Sequence, residues 1–318
     1  MKSTYKQPAW QKLLNSDLIA RSFGSVELQK LIKKAQKEYF YWDTFKYQPI
    51  PKGFSPEEAW AILKLSRSSL YQATLVKDNK GKPFQFALIN TLYQKLNYID
   101  THASSFIRTT KLSEAQKNKF VVAGITEEAI ATSQIEGANT TRQAAKEMLV
   151  SHRLPRTKGE QMIVNGYQMM QRLDAWKGLD MSREMLLEIQ TIVTEKTLEK
   201  PADGGRFRND EDNIIVYDSL TGEVAHKPMG EEEMLTQLDK LIQFANSNEK
   251  DNDFIHPVVK ASILHFWLAY LHPFVDGNGR TARALFYWYL LKKEYWLVQY
   301  LSISRVIAQS RKKYDNAF

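Results

Sequence analysis

The feature that most constrains this chain is a run of polar and glycine residues set between two apolar stretches. The run extends from His272 to Arg283; Val258–Leu271 precedes it and Ala284–Leu291 follows it. Both flanking stretches have the length and the apolar periodicity of buried helices. The sequence therefore predicts a helix, a tight loop and a second helix, with the polar chemistry concentrated in the loop.

The residue types in this loop suit an anion site. Gly277 and Gly279 leave room for the backbone to approach a ligand, and the N–H groups that open the second helix carry the positive end of its dipole. Asn278 can add a side-chain donor. Arg280 and Arg283 lie on the first turn of the helix, so we expect them on one face, where both guanidinium groups can hold phosphate oxygens.

Two further side chains of the loop supply charge and a route for protons. Asp276 lies directly before the glycines, and a lone carboxylate beside phosphates commonly holds Mg²⁺ together with phosphate oxygens and water. His272 has an ordinary pKa close to neutrality, which makes it the candidate general base. Taken singly, Asp-Gly and Asn-Gly steps indicate only turns, and paired arginines indicate only a solvated face. Their combination predicts a nucleotide site.

The whole run, HPFVDGNGRTAR at 272–283, matches the signature HxFx(D/E)GNGRxxR and resembles the Fic domain. That family is known for AMPylation, the transfer of AMP from ATP to a Ser, Thr or Tyr hydroxyl of a protein with release of pyrophosphate. The resemblance implies that His272 deprotonates the hydroxyl, that Asp276 holds Mg²⁺, and that the other signature positions bind the nucleotide. Those positions are Phe274, Gly277, Asn278, Gly279, Arg280 and Arg283.

A second stretch, at about 126–137, is predicted to be an amphipathic helix that ends in a glycine. Its last six residues, TSQIEG, resemble the inhibitory motif (S/T)xxxE(G/N) of Fic proteins. The resemblance implies that Thr132, Glu136 and Gly137 form an inhibitory helix in the N-terminal part of the chain. In that class the glutamate, here Glu136, pairs with Arg283 and keeps the γ-phosphate of ATP away from it.

The segment at about 205–227 changes character within an otherwise helical chain. Asn213–Tyr217 is predicted to be a short strand, and Glu223–Lys227 can return as its partner across a turn at 218–222. Gly205-Arg206-Phe207-Arg208, directly before, resembles the start of the Fic flap, which implies that the strand holds a target backbone by strand addition. Its residues are Asn213, Ile214, Ile215, Val216 and Tyr217. A plain connecting hairpin is the alternative.

The predicted architecture is all-α, with a Fic core helical bundle and one β-hairpin flap at 109–318. An N-terminal helical module at 1–108 precedes it. In this module Val26–Tyr39 is a helix candidate, Ser55 opens a second, and Phe84–Phe106 is predicted to form a third. Further helix candidates in the core are Thr141–Val150, Lys158–Leu173, Ser182–Leu198 and Glu231–Asn246.

The composition limits the cellular compartments in which we expect this protein. The 318 residues include no cysteine, which excludes disulfides and thiolate metal sites. No apolar run approaches membrane-spanning length, and Met1–Leu14 lacks the apolar segment of a signal peptide. We therefore expect a cytoplasmic protein that does not enter a membrane.

The expected partners are ATP and a protein that bears a hydroxyl side chain; self-modification and oligomer formation stay open. A net charge of +8 permits nucleic-acid binding, but the scattered lysines favour a solvated helix face. Two other functions also stay open: removal of AMP from a modified protein by the same site, and a non-enzymatic regulator associated with nucleic acid.

Overall fold

The computed structural model describes residues 7–109, 113–217, 222–247 and 254–315. The chain divides into two compact units, Met1–Thr101 and His102–Phe318. Helices dominate both units, which confirms the all-α class. No helix in the described ranges is both long enough and apolar enough to cross a bilayer.

The first unit is built from helices around one apolar cluster that includes Leu28, Phe45 and Leu63. Its helices are α1 Ser16–Gly24, α2 Val26–Glu38, α3 Trp42–Phe45, α4 Pro56–Ser68 and the first part of α5 Asn90–Thr109. The predicted start of α4 is confirmed, because Ser55 and Glu58 form a reciprocal capping box at its first turn. Helix α2 ends at Glu38, as the sequence predicted to within one residue.

A hairpin lies between α4 and α5, where the sequence predicted a break and then helix. Strand β1 Tyr71–Lys77 pairs antiparallel with β2 Pro83–Ala87, so the prediction of helix from Phe84 is wrong for the first residues of that stretch. The Asp78 carboxylate accepts hydrogen bonds from the backbone N–H groups of Lys80 and Lys82, which builds the turn between the strands. The structure thus has a hairpin besides the predicted flap.

The second unit packs its helices around α11 and α12, the two helices that flank the polar loop. Its helices are α6 Glu114–Ile135, α7 Arg142–Val150, α8 Lys158–Trp176, α9 Arg183–Thr194, α10 Glu231–Asn246, α11 Pro257–Leu271, α12 Asn278–Lys292, α13 Ile303–Gln309 and α14 Arg311–Asp315. Leu264, Trp267, Leu285 and Trp288 are fully buried in this core. The helix–loop–helix prediction is confirmed.

Helix α6 is much longer than the helix predicted at about 126–137, because it begins at Glu114 behind a capping box of Ser113 and Gln116. Gly124 does not interrupt it. A Cβ at Gly124 would collide with the backbone of Gln299 and Tyr300, so the glycine permits close packing inside the helix.

The flap is shorter than predicted. Strand β3 is Val216–Tyr217, and it pairs antiparallel with β4 Val224–His226. The prediction of a strand from Asn213 is wrong for Asn213, Ile214 and Ile215, because Asn213 has a left-handed backbone (φ 48°) that ends a short 3₁₀ turn. The turn predicted at 218–222 lies, at 218–221, outside the described residues.

Candidate functional site

The loop between α11 and α12 carries the candidate site. His272 follows α11 with a left-handed backbone (φ 49°), and Gly277 caps α12 with φ 87°. The Asn278 side chain spans the loop: Oδ1 accepts from the Phe274 N–H at 2.9 Å, and Nδ2 donates to the Phe274 carbonyl at 2.8 Å. Asn278 therefore closes the loop upon itself with one of its two amide N–H donors, and its role as a donor to a ligand stays a prediction.

Phe274, which the resemblance placed among the nucleotide-binding residues, is fully buried. Its ring stacks on Phe207 with centroids 5.5 Å apart. The side chain is therefore part of the core, and it ties the loop to the segment that leads into the flap.

The N-terminus of α12 forms a cradle of backbone N–H groups. A Cβ at Gly277 would come within 2.6 Å of the Thr194 methyl group, so only glycine fits this turn. A Cβ at Gly279 would collide with the Glu136 carboxylate. Glu136 therefore lies directly against the backbone where an anion would approach the helix N-terminus.

Arg283 is buried against the C-terminal part of α6. Its Nε donates to Thr132 Oγ1 at 2.6 Å, and its Nη2 donates to Glu136 Oε1 at 2.6 Å. The contact between Glu136 and Arg283 that the resemblance implied is thus present. Burial raises the pKa of Glu136, but the Arg283 guanidinium outweighs this effect and holds that pKa below its usual value. Glu136 is ionised at neutral pH.

Arg280 takes a different direction from Arg283. Its Nη1 donates to the Val193 carbonyl at 2.5 Å, and its Nη2 donates to Asp276 Oδ1 at 3.2 Å. Although the two arginines share the first turn of α12, their guanidinium groups have separate partners in this structure. That both hold phosphate oxygens of one ligand stays a prediction.

Asp276 fits the chemistry of a Mg²⁺ ligand. Its side chain is 46% exposed, and Oδ1 accepts hydrogen bonds from Gly277 and Arg280. Among the described residues no hydrogen bond reaches Oδ2, which leaves one oxygen for a cation. The described residues also contain no cluster of three or more acidic or histidine side chains that could hold a metal ion. A single carboxylate suits Mg²⁺, which takes its other ligands from phosphates and water.

The His272 imidazole is in the neutral form that a general base requires. Burial lowers the pKa of the imidazole to about 4, and the nearby His226 and Arg208 act in the same direction. A hydrogen bond to the backbone of Ala269 and the charge of Glu136 oppose this shift without reversing it. The ring is therefore neutral at pH 7 and can accept a proton.

Two histidines at the start and in the middle of α11 have structural partners. His256 caps the first turn, because its Nδ1 accepts from the Val258 N–H. His265 is buried and bonds Tyr314 Oη at 2.7 Å, and burial lowers its pKa to about 4.

The C-terminal helices hold α6 in place, which the sequence did not predict. The buried carboxylate of Glu128 accepts hydrogen bonds from the Ser302 hydroxyl and from the backbone N–H and hydroxyl of Ser304. Arg311 donates to the Ile135 carbonyl at the end of α6, at 2.7 Å. Residues that follow α12 therefore hold in place the helix that ends directly before Glu136.

Two residues outside the signature hold the loop to the flap. Gln190 is fully buried; its Nε2 donates to the Asp276 carbonyl and its Oε1 accepts from the Gly205 N–H. Arg208 donates to carbonyl groups at the end of α11. The sequence does not single out Gln190, because Glu188 and Thr191 are also polar residues of α9. The GRFR sequence at 205–208 pointed to Arg208, but only as the start of the flap.

The family model of the Fic/DOC family matches residues 180–290. Among curated relatives, the protein adenylyltransferase Fic of Nematostella vectensis is 36% identical over 85 residues, which are 27% of this chain and 17% of that protein. The protein adenylyltransferase Fic of Drosophila melanogaster is 34% identical over 117 residues, which are 37% of this chain and 21% of that protein. The matches thus span about a fifth of the relatives' length.

Solved structures of Fic proteins share the fold. Fic-1 from C. elegans superposes with a TM-score of 0.57 at 19% identity, covering 84% of this chain and 69% of that chain. A Fic domain containing signaling protein from Bacteroides thetaiotaomicron gives a TM-score of 0.54 at 19% identity, covering 62% of this chain and 72% of that one. The helix–loop–helix with its polar signature lies inside the matched region, and residues 180–290 of this chain are a Fic domain.

Proposed function

We propose that this chain transfers AMP from ATP to a Ser, Thr or Tyr hydroxyl of a target protein and that Glu136 represses the reaction. One observation carries the proposal. The Glu136 carboxylate lies 2.6 Å from Arg283 and against Gly279, at the helix N-terminus where the signature would place the phosphates. The Glu136 carboxylate thus lies where a phosphate would bind, which supports repression by this residue.

The reaction needs a base, and His272 is neutral where one is required. The imidazole takes the proton of the target hydroxyl while the hydroxyl oxygen bonds to the α-phosphorus of ATP. The bond from that phosphorus to the bridging oxygen breaks, and pyrophosphate leaves. General base catalysis of this kind contributes roughly 10²–10⁴ in rate.

The remaining residues position the phosphates. Asp276 would hold Mg²⁺, which neutralises charge on the α- and β-phosphates when it is bound. The N–H groups at Asn278 and Gly279 would donate to phosphate oxygens. Once released from Glu136, Arg283 would bind the γ-phosphate with its planar fork.

The free energy that a hundredfold repression would require indicates how Glu136 would act. An exposed ion pair contributes about 0–1 kcal/mol, whereas hundredfold repression needs about 2.7 kcal/mol. The Glu136 side chain is 29% exposed and that of Arg283 only 6%, so the pair is largely desolvated. Glu136 would therefore repress both by holding Arg283 and by excluding phosphate through its charge and volume.

The target would dock on the flap. Tyr217 and Val224 are more than half exposed, and Ile215 is exposed to 38%. A two-stranded sheet leaves an unpaired edge that can accept a backbone strand. This supports the predicted role of the flap, with Val216 and Tyr217 as its paired residues.

The test uses α-³²P-labelled ATP with wild type, Glu136→Gly and Glu136→Gly/His272→Ala, and scores label on the chain itself and on proteins of a lysate. We expect label with Glu136→Gly, at least about 100-fold above wild type, and none in the double variant. Unlabelled protein in all three samples would overturn AMP transfer. In that case, loss of label from a previously modified target would indicate that the chain removes AMP. The ionised Glu136 beside the site favours this alternative.

A further inference from the structure

The end of α11 has an unusual set of partners. The last carbonyl groups of a helix have no partner within it, and here each of them is met by a side chain. The His272 ring bonds the backbone of Ala269, His226 Nε2 lies 2.7 Å from the Tyr270 carbonyl, and Arg208 reaches the next two carbonyls. Both flanks of the flap are thus attached to the turn that carries the base.

Arg208 makes two of these four contacts and two more beside them. Its Nε donates to the His272 carbonyl at 2.7 Å, and its Nη2 donates to the Met229 carbonyl at 2.7 Å and to the Leu271 carbonyl at 3.4 Å. Its backbone N–H donates to the Pro273 carbonyl at 2.9 Å. Arg208 therefore joins the chain before the flap, the chain after the flap and the end of α11.

The chemistry explains why arginine stands here. The residue is 4% exposed, and a buried cation is costly unless its surroundings carry negative charge. The C-terminal end of α11 supplies it through the helix dipole. A guanidinium group has several donors in one plane, so it can bond carbonyls on two sides at once, which an ammonium group cannot do in the same geometry.

The backbone of His272 needs such support. A left-handed conformation is uncommon for a residue with a side chain, and it persists where the surroundings hold it. Arg208 bonds the carbonyl of this residue and of both its neighbours. Arg208, which precedes the flap, therefore sets the direction of the His272 imidazole.

We propose that Arg208 is a positioning residue: it fixes the left-handed turn that aims His272, and together with His226 it keeps the flap in register with that base. The role rests on the proposed function, because it assigns the flap to the target and His272 to the proton. The Arg208 side chain donates to backbone carbonyls of the chain itself, so its role would be indirect.

The test compares Arg208→Lys and Arg208→Gln in the full chain that carries Glu136→Gly. We expect kcat for AMP transfer to fall by about 10²-fold, since a misplacement of about 1 Å can cost that much. The KM for ATP should stay within about twofold, because the phosphate contacts are untouched. Lysine should not rescue kcat, since it lacks the planar fork. Arg183→Gln, which breaks an exposed pair with Asp239, is the matched control and should leave both constants unchanged.

A second readout does not depend on transfer. The imidazole of His272, followed by NMR in ¹³C-histidine-labelled chain, should change its chemical shift, and its pKa should rise when Arg208→Gln removes a neighbouring positive charge. The other charged or titratable groups acting on this ring are His226 and Glu136, and both are present in the wild-type background used here. If the Glu136→Gly parent shows no transfer, the proposed function fails and this titration decides the positioning role.

Two results would overturn the proposal. One is a folded Arg208→Gln chain with unchanged kcat or, in the absence of transfer, an unchanged His272 signal. The other is an equal rise in the KM for ATP and loss of kcat, which would indicate general disruption of the site. If Arg208→Gln does not fold, His226→Gln takes its place, because it alters one contact of the same set, and the same two results apply.

Discussion

Arg208 and Arg283 are both buried guanidinium groups beside the same loop, yet their partners differ in kind. Among the described residues Arg208 donates only to backbone carbonyls, whereas Arg283 donates to the Thr132 hydroxyl and the Glu136 carboxylate and, at 3.4 Å, to the Thr132 carbonyl. Backbone carbonyls move only with the fold, but a carboxylate side chain can be exchanged for another anion such as phosphate. We infer that Arg208 belongs to a fixed part of the site and that Arg283, under the proposed function, belongs to a part that can switch.

The largest effect should come from replacing Asp276, the proposed Mg²⁺ ligand. Asp276→Asn in the Glu136→Gly background should lower AMP transfer by about 10³-fold, because a neutral amide holds Mg²⁺ far more weakly than a carboxylate does. The rate of label transfer at varied Mg²⁺ measures this, and chelation by EDTA should abolish transfer in the parent. Asp239→Asn, at an exposed carboxylate, is the control. A parent that keeps its rate in EDTA would contradict the role of Asp276.

The position of Glu136 depends on the hydrogen bonds that hold α6, and these can be weakened without changing Glu136 or Arg283. Glu128→Ala should lower the free energy of unfolding by about 1–3 kcal/mol, because it leaves the N–H of Ser304 buried without its acceptor. Urea denaturation measures the change. Transfer by the otherwise wild-type chain should rise at the same time, since α6 loses the hydrogen bonds of Glu128 to Ser302 and Ser304. A stable variant with unchanged transfer would show that this support does not affect Glu136.

The charge of Glu136 can be separated from its volume. Glu136→Gln keeps the shape and a hydrogen-bond acceptor for Arg283 but removes the charge. We expect transfer about tenfold above wild type, equivalent to about 1.4 kcal/mol, and well below that of Glu136→Gly. Initial rates at saturating ATP measure both. Equal rates for the two variants would show that volume plays no part in the repression.

The last prediction concerns the dependence of stability on pH. His265 and His272 have pKa values of about 4 in the folded chain, below the ordinary value of 6.5. The unfolded chain therefore takes up protons first as the pH falls from about 6.5 to 4, so stability is lost over this window, by at most about 1.4 kcal/mol per pH unit for each histidine. Urea denaturation from pH 7 to 4.5 measures the slope. His265→Asn should flatten it, whereas the exposed His152→Asn should not; an unchanged slope in both would contradict the assignment.

The site was predictable where its chemistry lies in one continuous stretch. The residues from His272 to Arg283 fixed the loop, the helix N-terminus and the family resemblance, and the TSQIEG sequence pointed to Glu136 as the partner of Arg283. Local spacing is enough for these features, because the loop and the first turn of α12 are formed by neighbouring residues.

Other features depend on contacts between distant residues. Arg280 turns to the Val193 carbonyl, and Asn278 turns back to Phe274, and neither direction follows from helical periodicity. The roles of Arg208 and of Glu128 depend on partners far away in the sequence. The β1–β2 hairpin was missed because a short alternating segment after a turn also fits the start of a helix.

The most direct measurement is a double-mutant cycle of AMP-transfer rates for wild type, Glu136→Gly, Arg283→Ala and the double variant. If Glu136 represses in part by occupying Arg283, Glu136→Gly should raise the rate about 100-fold when Arg283 is present and only about tenfold, from the relief of phosphate exclusion alone, when it is absent. The same gain in both backgrounds would show that Glu136 acts independently of Arg283 and would contradict the switch.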